Sequence, residues 1–321
     1  MKSFRISLRL LAGATFALTM IAAGPVTTPA AALTVQSTRV LVSFDIDEGQ
    51  LPENFTLAPF GALDVTLNGA GEIARVSPSG MITVLAAMPA PADGGVNTPI
   101  IGSAFTAGMV RAADGTIYTL YSTGTTGQTG IYELRPGGTL QLIVPLPAGA
   151  LANGLALDPW NHELYVADSA EGIIWSAPAS GGTATEWASG PALEPTSFLG
   201  ANGLKFHNGA IWVSNTDAGT ILRIPIEWDG RAGQITTFAS GLPTIDDFNF
   251  VGSGDEIAAA LDKDNVVDLV QRNGADETLL DASNGLEGPT SIAVRGDKMY
   301  LASAGYFTGQ APNIIVATLA P

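Results

Sequence analysis

A short phrase recurs along the chain at nearly constant spacing, and it constrains the fold more than any other feature. The clearest copies are Asn153-Gly154-Leu155 and Asn202-Gly203-Leu204. Successive openings are separated by 54, 46, 49, 44 and 44 residues. A repeat of this length, with strand-like sequence between the copies, predicts a β-propeller. The residues that open the six copies are Glu53, Ala107, Asn153, Asn202, Asp246 and Thr290.

Further strand-like segments follow each opening and define a unit of four strands. In the third unit the apolar runs 164–166 and 173–175 follow the opening, and Gly181-Gly182 is a hairpin dipeptide before a last strand. Four short antiparallel strands make one blade. Six such units therefore predict an all-β chain that folds as a six-bladed β-propeller of four-stranded antiparallel blades.

The sixth unit lacks a fourth strand, because the sequence ends at Pro321. The segment 39–44 is strand-like but precedes the first unit and belongs to none. We therefore expect this N-terminal strand to complete the sixth blade. Such a pairing closes the ring and removes a free sheet edge.

The first residues of the chain are typical of a targeting segment. Basic residues precede an uncharged apolar stretch, 10–23, and three alanines end at Ala32. This pattern predicts a secretory signal peptide over residues 1–32 and an exported mature chain, with an uncleaved anchor as the alternative. The apolar stretch is short for a membrane span, and we expect none in the mature chain. The repeat runs through residues 33–321 without a linker, which predicts one propeller domain.

The charge and the cysteine content exclude several functions. The net charge is −16, so nucleic acid is not an expected partner, because phosphate binding requires clustered Lys and Arg. The chain has no cysteine, so an exported protein would have no disulfide. With only two histidines and no cysteine, a zinc or copper site is not expected.

Four of the six openings carry side-chain oxygens. In a propeller the first strand of each blade lines the central channel, so the openings converge at one mouth. Carboxylate and amide oxygens are ligands that calcium accepts. The alternative is that Asn-Gly only shapes turns and that neighbouring aspartates cap them. The first alternative predicts a site for a divalent cation, with calcium as the expected ion, and its candidate ligands are Glu53, Asn153, Asn202 and Asp246.

The repeat and this ordered set of side chains resemble the gluconolactonase and regucalcin family of six-bladed propellers. The resemblance implies a divalent cation, usually calcium, on the channel axis, with the four candidate side chains as its ligands. It also implies that Asp246 is the base for attack of water on a lactone or ester. Asp247 is the competing base. The implied partner is a small-molecule lactone or ester.

The sequence departs from that family near the third opening. Its sugar lactonases often place an arginine there to hold a polar substrate, whereas this chain has Leu151. Several phenylalanines are expected near the mouth. A more apolar lactone or ester therefore fits better than a sugar acid. The phenylalanines are Phe55, Phe105, Phe198 and Phe248.

Two other functions compete with a hydrolase. One is a non-catalytic propeller, similar to the NHL type, that binds a protein, peptide or glycan. The other is a different chemistry, such as a streptogramin lyase or a quinone-dependent sugar dehydrogenase, both of which rely on histidine. His162 and His207 lie outside the openings, in stretches expected to form turns. The ordered set of ligands favours the hydrolase.

Overall fold

The computed structural model describes residues 33–271, 276–310 and 312–320, which form six four-stranded antiparallel sheets. The predicted signal peptide, residues 1–32, lies outside the described residues. The described residues also include two short 3-10 helices, Pro59–Gly61 and Ala282–Asn284. Among the described residues, no helix has the length and apolarity that crossing a membrane requires. The prediction of a six-bladed propeller with four antiparallel strands per blade is confirmed.

In blades one to five the strands follow one another in chain order from the inner to the outer strand. The chain begins with β1 (Thr34–Ser43). Blade one contains β2 (Pro52–Leu57), β3 (Leu63–Leu67), β4 (Glu72–Val76) and β5 (Ile82–Ala87). Blade two contains β6 (Phe105–Arg111), β7 (Ile117–Ser122), β8 (Gly130–Leu134) and β9 (Gln141–Pro145). Blade three contains β10 (Ala152–Asp158), β11 (Glu163–Asp168), β12 (Ile173–Pro178) and β13 (Thr185–Ser189).

The remaining blades have the same order. Blade four contains β14 (Ala201–His207), β15 (Ala210–Asn215), β16 (Thr220–Pro225) and β17 (Thr236–Ser240). Blade five contains β18 (Ile245–Phe250), β19 (Ile257–Leu261), β20 (Val266–Val270) and β21 (Asp276–Leu280). Blade six contains β22 (Pro289–Arg295), β23 (Lys298–Ser303) and β24 (Asn313–Ala320), and its fourth strand is β1.

The pairing of β1 with β24 closes the ring. The two strands are antiparallel over their whole length, from Thr34 opposite Ala320 to Ser43 opposite Asn313. The predicted closure by an N-terminal strand is confirmed, and this strand begins earlier than the segment 39–44. The last blade is thus assembled from both ends of the described chain, which leaves β24 with a partner on each side.

Every inner strand has a β-bulge at the residue that opens its repeat. In β10 the register shifts between Ala152 and Leu155, and in β18 between Ile245 and Phe248. The other four inner strands shift at the corresponding place. A bulge adds a residue to one strand and re-aims its side chains. The repeated phrase is therefore the sequence of a bulge that directs a side chain into the channel.

The glycine of the Asn-Gly pairs allows neighbouring inner strands to approach. A Cβ at Gly154 would overlap the carbonyl oxygen of Asn202, and one at Gly203 would lie 2.7 Å from the carbonyl oxygen of Asp246. Both Asn-Gly pairs lie inside strands. The alternative prediction, that these pairs only shape turns, is therefore wrong. The prediction that Asp246 caps a turn is also wrong, because Asp246 lies inside β18.

The hydrophobic core lies between adjacent blades. Phe248 packs with Trp212 in a cluster shared by blades four and five, and both side chains are almost fully buried. Phe55 packs in a cluster shared by blades one and six. The expectation that these two phenylalanines lie at the mouth is wrong, because both point into interblade cores. Because the apolar side chains pack between the sheet faces of adjacent blades, the polar residues that open the repeats line the channel.

Candidate functional site

The four predicted side chains line one cavity of about 260 Å³ at the end of the ring where the inner strands begin. Each side chain comes from the bulge of a different blade. Their convergence follows from the bulges, which place equivalent residues at the same height on the channel wall. They are Glu53 on β2, Asn153 on β10, Asn202 on β14 and Asp246 on β18.

The walls of this cavity are apolar. Phe105 and Phe198 line it, as expected from the sequence, and so does Leu151. No Lys, Arg or His is among the described residues that line the cavity. The cavity therefore combines a floor of carboxyl and amide groups with a hydrophobic entrance. The other apolar lining residues are Ile101, Leu199 and Phe307.

Hydrogen bonds orient three of the polar side chains. The Asn202 amide nitrogen donates to Asp246 Oδ1 and to Thr216 Oγ1, both at 2.9 Å. With its nitrogen engaged in this way, the amide oxygen of Asn202 is left for a ligand. The Tyr306 hydroxyl donates to Glu53 Oε2 at 2.5 Å, which leaves the other oxygen of Glu53 without this bond. The Asn153 side chain has no hydrogen bond to a described residue.

A third carboxyl group, Asp262, also lines the cavity and was not predicted. It follows β19 directly, and its side chain is buried. Its Oδ1 atom has no hydrogen-bond partner in the part of the chain that the structure describes. A buried, unpaired carboxylate oxygen is costly unless a ligand satisfies it. Asp262 is thus a further candidate for binding or catalysis.

Asp262 has no acidic counterpart at the same register position in blades three and four. Asp168 pairs with Ala152 and Asn215 pairs with Ala201, so their counterpart in blade five is Leu261, which pairs with Ile245. Both side chains make backbone hydrogen bonds: Asp168 accepts from Leu151 N at 3.0 Å, and Asn215 donates to the carbonyl oxygen of Ala192 at 3.0 Å. These two are structural, whereas Asp262, one residue beyond that position, lines the cavity.

Burial raises the pKa of all three acids. The pKa of Glu53 is raised to about 8, mainly by burial. The hydrogen bond from Tyr306 lowers this pKa, and the negative charge of Asp262 raises it further. Burial raises the pKa of Asp262 to about 7. Burial and then the charge of Glu53 raise the pKa of Asp246 well above its usual range. A cation at this place would relieve the mutual repulsion of these groups.

Asp247, the competing base, belongs to a separate layer of the channel. It is 1% exposed and is not among the residues that line the cavity. Its carboxylate accepts hydrogen bonds from Lys205 Nζ at 2.5 Å and from Ser291 Oγ at 2.9 Å. These bonds occupy both oxygens, so the geometry favours Asp246 over Asp247 as the base.

Neither histidine reaches the cavity. His162 lies in an exposed turn with a φ of 54°. His207 ends β14, whereas Asn202 lies near the start of that strand, and its ring stacks on Phe250 with centroids 3.6 Å apart. The partly buried position of His207 differs from the expected solvent-facing turn.

The donor set fits a hard cation with oxygen ligands. Among the described residues, no group of three His, Cys, Asp or Glu side chains could hold a metal ion. A cation in the cavity would therefore need amide oxygens beside carboxylates, and Asn153 and Asn202 supply them. Such a mixed oxygen set with irregular geometry is accepted by calcium.

We expect the cation-free protein to lose stability as the pH rises. Between its ordinary pKa of 4.5 and its folded-state pKa of about 8, Glu53 binds a proton more tightly in the folded protein. The folded state then holds more protons than the unfolded state, so the free energy of unfolding falls as the pH rises across this window. Melting curves in chelator from pH 5 to 9 measure this slope, with these pH limits chosen to bracket roughly that window.

The variant Glu53→Gln should flatten this pH dependence, since its side chain no longer titrates. The exposed Glu48→Gln makes the same substitution outside the cavity lining and serves as the control. Equal slopes in the two variants would contradict the contribution of Glu53.

Comparison with known proteins found solved structures of the same fold but no match to a protein family or to a curated sequence. No protein-family model matches the chain, and no curated protein matches its sequence. Solved structures do share its architecture. The calcium-binding protein regucalcin from Agrobacterium tumefaciens has a TM-score of 0.62 at 16% identity, covering 88% of this chain and 94% of that one.

Two further structures are similar over nearly their whole length. A protein described as a gluconolactonase has a TM-score of 0.63 at 13% identity, covering 90% of this chain and 98% of that one. A catalytically inactive virginiamycin B lyase from Staphylococcus aureus, with quinupristin, has a TM-score of 0.60 at 18% identity, covering 88% and 99%. The chain is thus a six-bladed β-propeller similar in fold to the regucalcin and gluconolactonase propellers. At these identities the likeness concerns the fold alone.

Proposed function

We propose that the cavity binds a divalent cation, with calcium as the best match, and that the protein is an exported hydrolase of a lactone or ester. One observation carries the proposal. Four oxygen-bearing side chains, each placed by the bulge of a different blade, converge on one cavity with apolar walls. The fold likeness to the calcium-binding protein regucalcin and to a protein described as a gluconolactonase supports it.

The proposed ligands are the carboxylates of Glu53 and Asp246 and the amide oxygens of Asn153 and Asn202. When bound, a divalent cation would polarise a carbonyl group and lower the pKa of bound water. Two carboxylates balance its charge. Tyr306 holds Glu53 by a hydrogen bond at 2.5 Å, and Asn202 holds Asp246 at 2.9 Å, so both acids are oriented before any ligand enters.

Asp246 is the proposed base. Its Oδ1 atom accepts the hydrogen bond from Asn202, which leaves Oδ2 to accept a proton from an attacking water. Glu53 is the less suitable base, because the Tyr306 hydroxyl occupies one of its oxygens. Asp262 replaces Asp247 as the competing base, since Asp262 lines the cavity and Asp247 does not.

The walls define the substrate class. A sugar acid would bring polar groups to Leu151, Phe198 and Phe307, where no hydrogen-bonding side chain meets them. An aliphatic or aromatic lactone or ester would instead bury apolar surface there, at about 25 cal/mol per Å². The proposed substrate therefore has a carbonyl group at the polar floor and an apolar part at the entrance.

The competing functions have less support. The virginiamycin B lyase structure is that of a variant inactivated by replacement of a histidine. No histidine is among the described residues that line this cavity, which does not favour a chemistry that needs one. A purely binding propeller would have no need of the ordered acids and amides. Binding without turnover is therefore an outcome of the test below.

The test combines cation binding with turnover. We expect calcium to raise the melting temperature of chelator-treated protein, because a ligand of the folded state alone stabilises that state. We also expect hydrolysis of some members of a panel of aliphatic lactones and aryl esters with calcium, and none with chelator. Asp246→Asn should keep the fold and reduce hydrolysis by at least about 100-fold, in line with loss of general base catalysis.

Two other variants separate the roles. Asp262→Asn shows whether Asp262 is the base, since it would then reduce hydrolysis as strongly as Asp246→Asn. Asp297→Asn changes an exposed carboxylate far from the cavity and should hydrolyse at the parent rate. A melting curve that calcium and chelator both leave unchanged would overturn the cation. If calcium stabilises the protein but no substrate is hydrolysed, the protein is a cation-binding protein and the proposed hydrolase activity is wrong.

A further inference from the structure

A second, larger cavity lies between blades three and four, away from the channel. Its volume is about 820 Å³, and its lining includes the outer strands of blade three and the hairpin between β16 and β17. Ile226 and Ala232 pair across this hairpin. The Trp187 indole nitrogen donates to the carbonyl oxygen of Gly230 at 2.8 Å, which ties the hairpin to blade three. We name this cavity the blade-three groove.

Aromatic side chains form much of the blade-three groove. Trp228, at the tip of the hairpin, is 95% exposed. A large aromatic side chain exposed to this extent is unusual unless it contacts a ligand or partner. Trp187 packs edge-on against Tyr165, with ring centroids 4.9 Å apart. Tyr165 is only 3% exposed and lines the groove, and its hydroxyl has no hydrogen bond to a described residue. This hydroxyl is available for a hydrogen bond with a ligand in the groove.

The blade-three groove is also strongly acidic. Glu163, Glu186 and Glu227 line it, and none forms an ion pair with a described Lys, Arg or His. Arg231 is the basic residue of the described lining, and it is paired with Asp229 at 2.6 Å. Four carboxylates, including that of Asp229, therefore share one guanidinium, and the groove keeps a net negative charge beside its aromatic surface. A cleft lined by one sign of charge concentrates ions of the opposite sign.

We propose that the blade-three groove binds a small organic ammonium ion of the alkyl polyamine class. An ammonium group over an indole face gains a cation–π interaction, for which Trp is the best ring. Its N–H groups would donate to the carboxylates and to the Tyr165 hydroxyl, while its alkyl stem would lie along Trp187 and Trp228. The volume is within the range of small-molecule sites. A metal ion would not use the indoles, and a neutral sugar would not neutralise the charge of the carboxylates.

The test is calorimetric titration of the full protein with spermidine at low salt, with tryptophan fluorescence as a second readout. We expect saturable binding that weakens as salt rises. Trp228→Ala should weaken it at least about tenfold, which is a loss of about 1.4 kcal/mol. The double variant Glu163→Gln and Glu227→Gln should weaken it comparably. Trp228 is nearly fully exposed, so its variant should fold.

Phe60→Ala is the matched control, because Phe60 is a 99% exposed aromatic residue outside the groove, and it should bind spermidine like the parent. Magnesium chloride at equal ionic strength should not give the fluorescence change of spermidine. An absence of saturable binding in the parent would overturn the proposal. So would equal binding by the parent and Trp228→Ala, equal effects of magnesium and spermidine, or binding of a neutral oligosaccharide without binding of spermidine.

Discussion

Removal of residues 33–46 is expected to open the propeller and to cause aggregation. The deletion removes β1, so β24 loses its partner along its whole length and becomes a free sheet edge. It also removes Val42 and Phe44 from the core shared by blades one and six. Loss of large buried side chains costs about 2–5 kcal/mol each, which is a large share of the stability of a domain. Light scattering and thermal unfolding measure the effect.

A peptide with the sequence of residues 33–46 provides the control. Added in trans, it should pair with β24 by strand addition and restore solubility and the melting temperature. A peptide of the same composition in scrambled order should not, because its apolar residues no longer alternate toward the core. A truncated protein that stays soluble and melts with the parent would show that the ring does not depend on β1.

The number of blades and the closure could be predicted from the sequence because both depend on the repeat. One blade is one unit of four strands, so the spacing of the openings from Glu53 to Thr290 counts the blades directly. Closure follows from the unpaired strand before the first unit and the missing strand in the last. Neither inference needs a knowledge of side-chain packing.

The candidate site could be predicted only where it repeats. The four openings were found because each occupies the same place in its unit, and the bulges bring them together. Tyr306, which holds Glu53, comes from the loop between β23 and β24, and this loop has no counterpart with the same sequence in other blades. Asp262 lies one residue beyond the position of Asp168 and Asn215, where blades three and four have Ser169 and Thr216, so the repeat gives no acidic signal for it.

The phenylalanines show a different limit. The sequence predicted that Phe55 and Phe105 both lie near the mouth. The structure packs both side chains into interblade cores, and of the two residues Phe105 also lines the cavity. Alternation along a strand decides which face a side chain takes. A bulge inserts one residue and reverses that alternation beyond it. The bulges at the openings are not evident before the register is known, so the faces of nearby residues could not be assigned.

Gly154→Ala is expected to destabilise the protein strongly and to remove its response to calcium. The new methyl group would overlap the carbonyl oxygen of Asn202 and lie 2.8 Å from Leu204 N, so β10 and β14 would have to move apart. Both contacts are with backbone, which cannot rotate away as a side chain can. Overpacking of this kind costs about 1–3 kcal/mol and occasionally more. The separation would occur between Asn153 and Asn202, two of the proposed ligands.

Gly127→Ala is the matched control, because a methyl group at Gly127 meets no atom within 4 Å and its backbone does not need a positive φ. Thermal melting with calcium and with chelator compares the two variants. Gly127→Ala should melt with the parent and respond to calcium as the parent does. Gly154→Ala should melt lower in chelator and gain much less from calcium, because its ligands no longer converge. If Gly154→Ala were destabilised yet gained as much from calcium as the parent, the close approach of β10 and β14 would serve packing alone, and the cation would not depend on the spacing of Asn153 and Asn202.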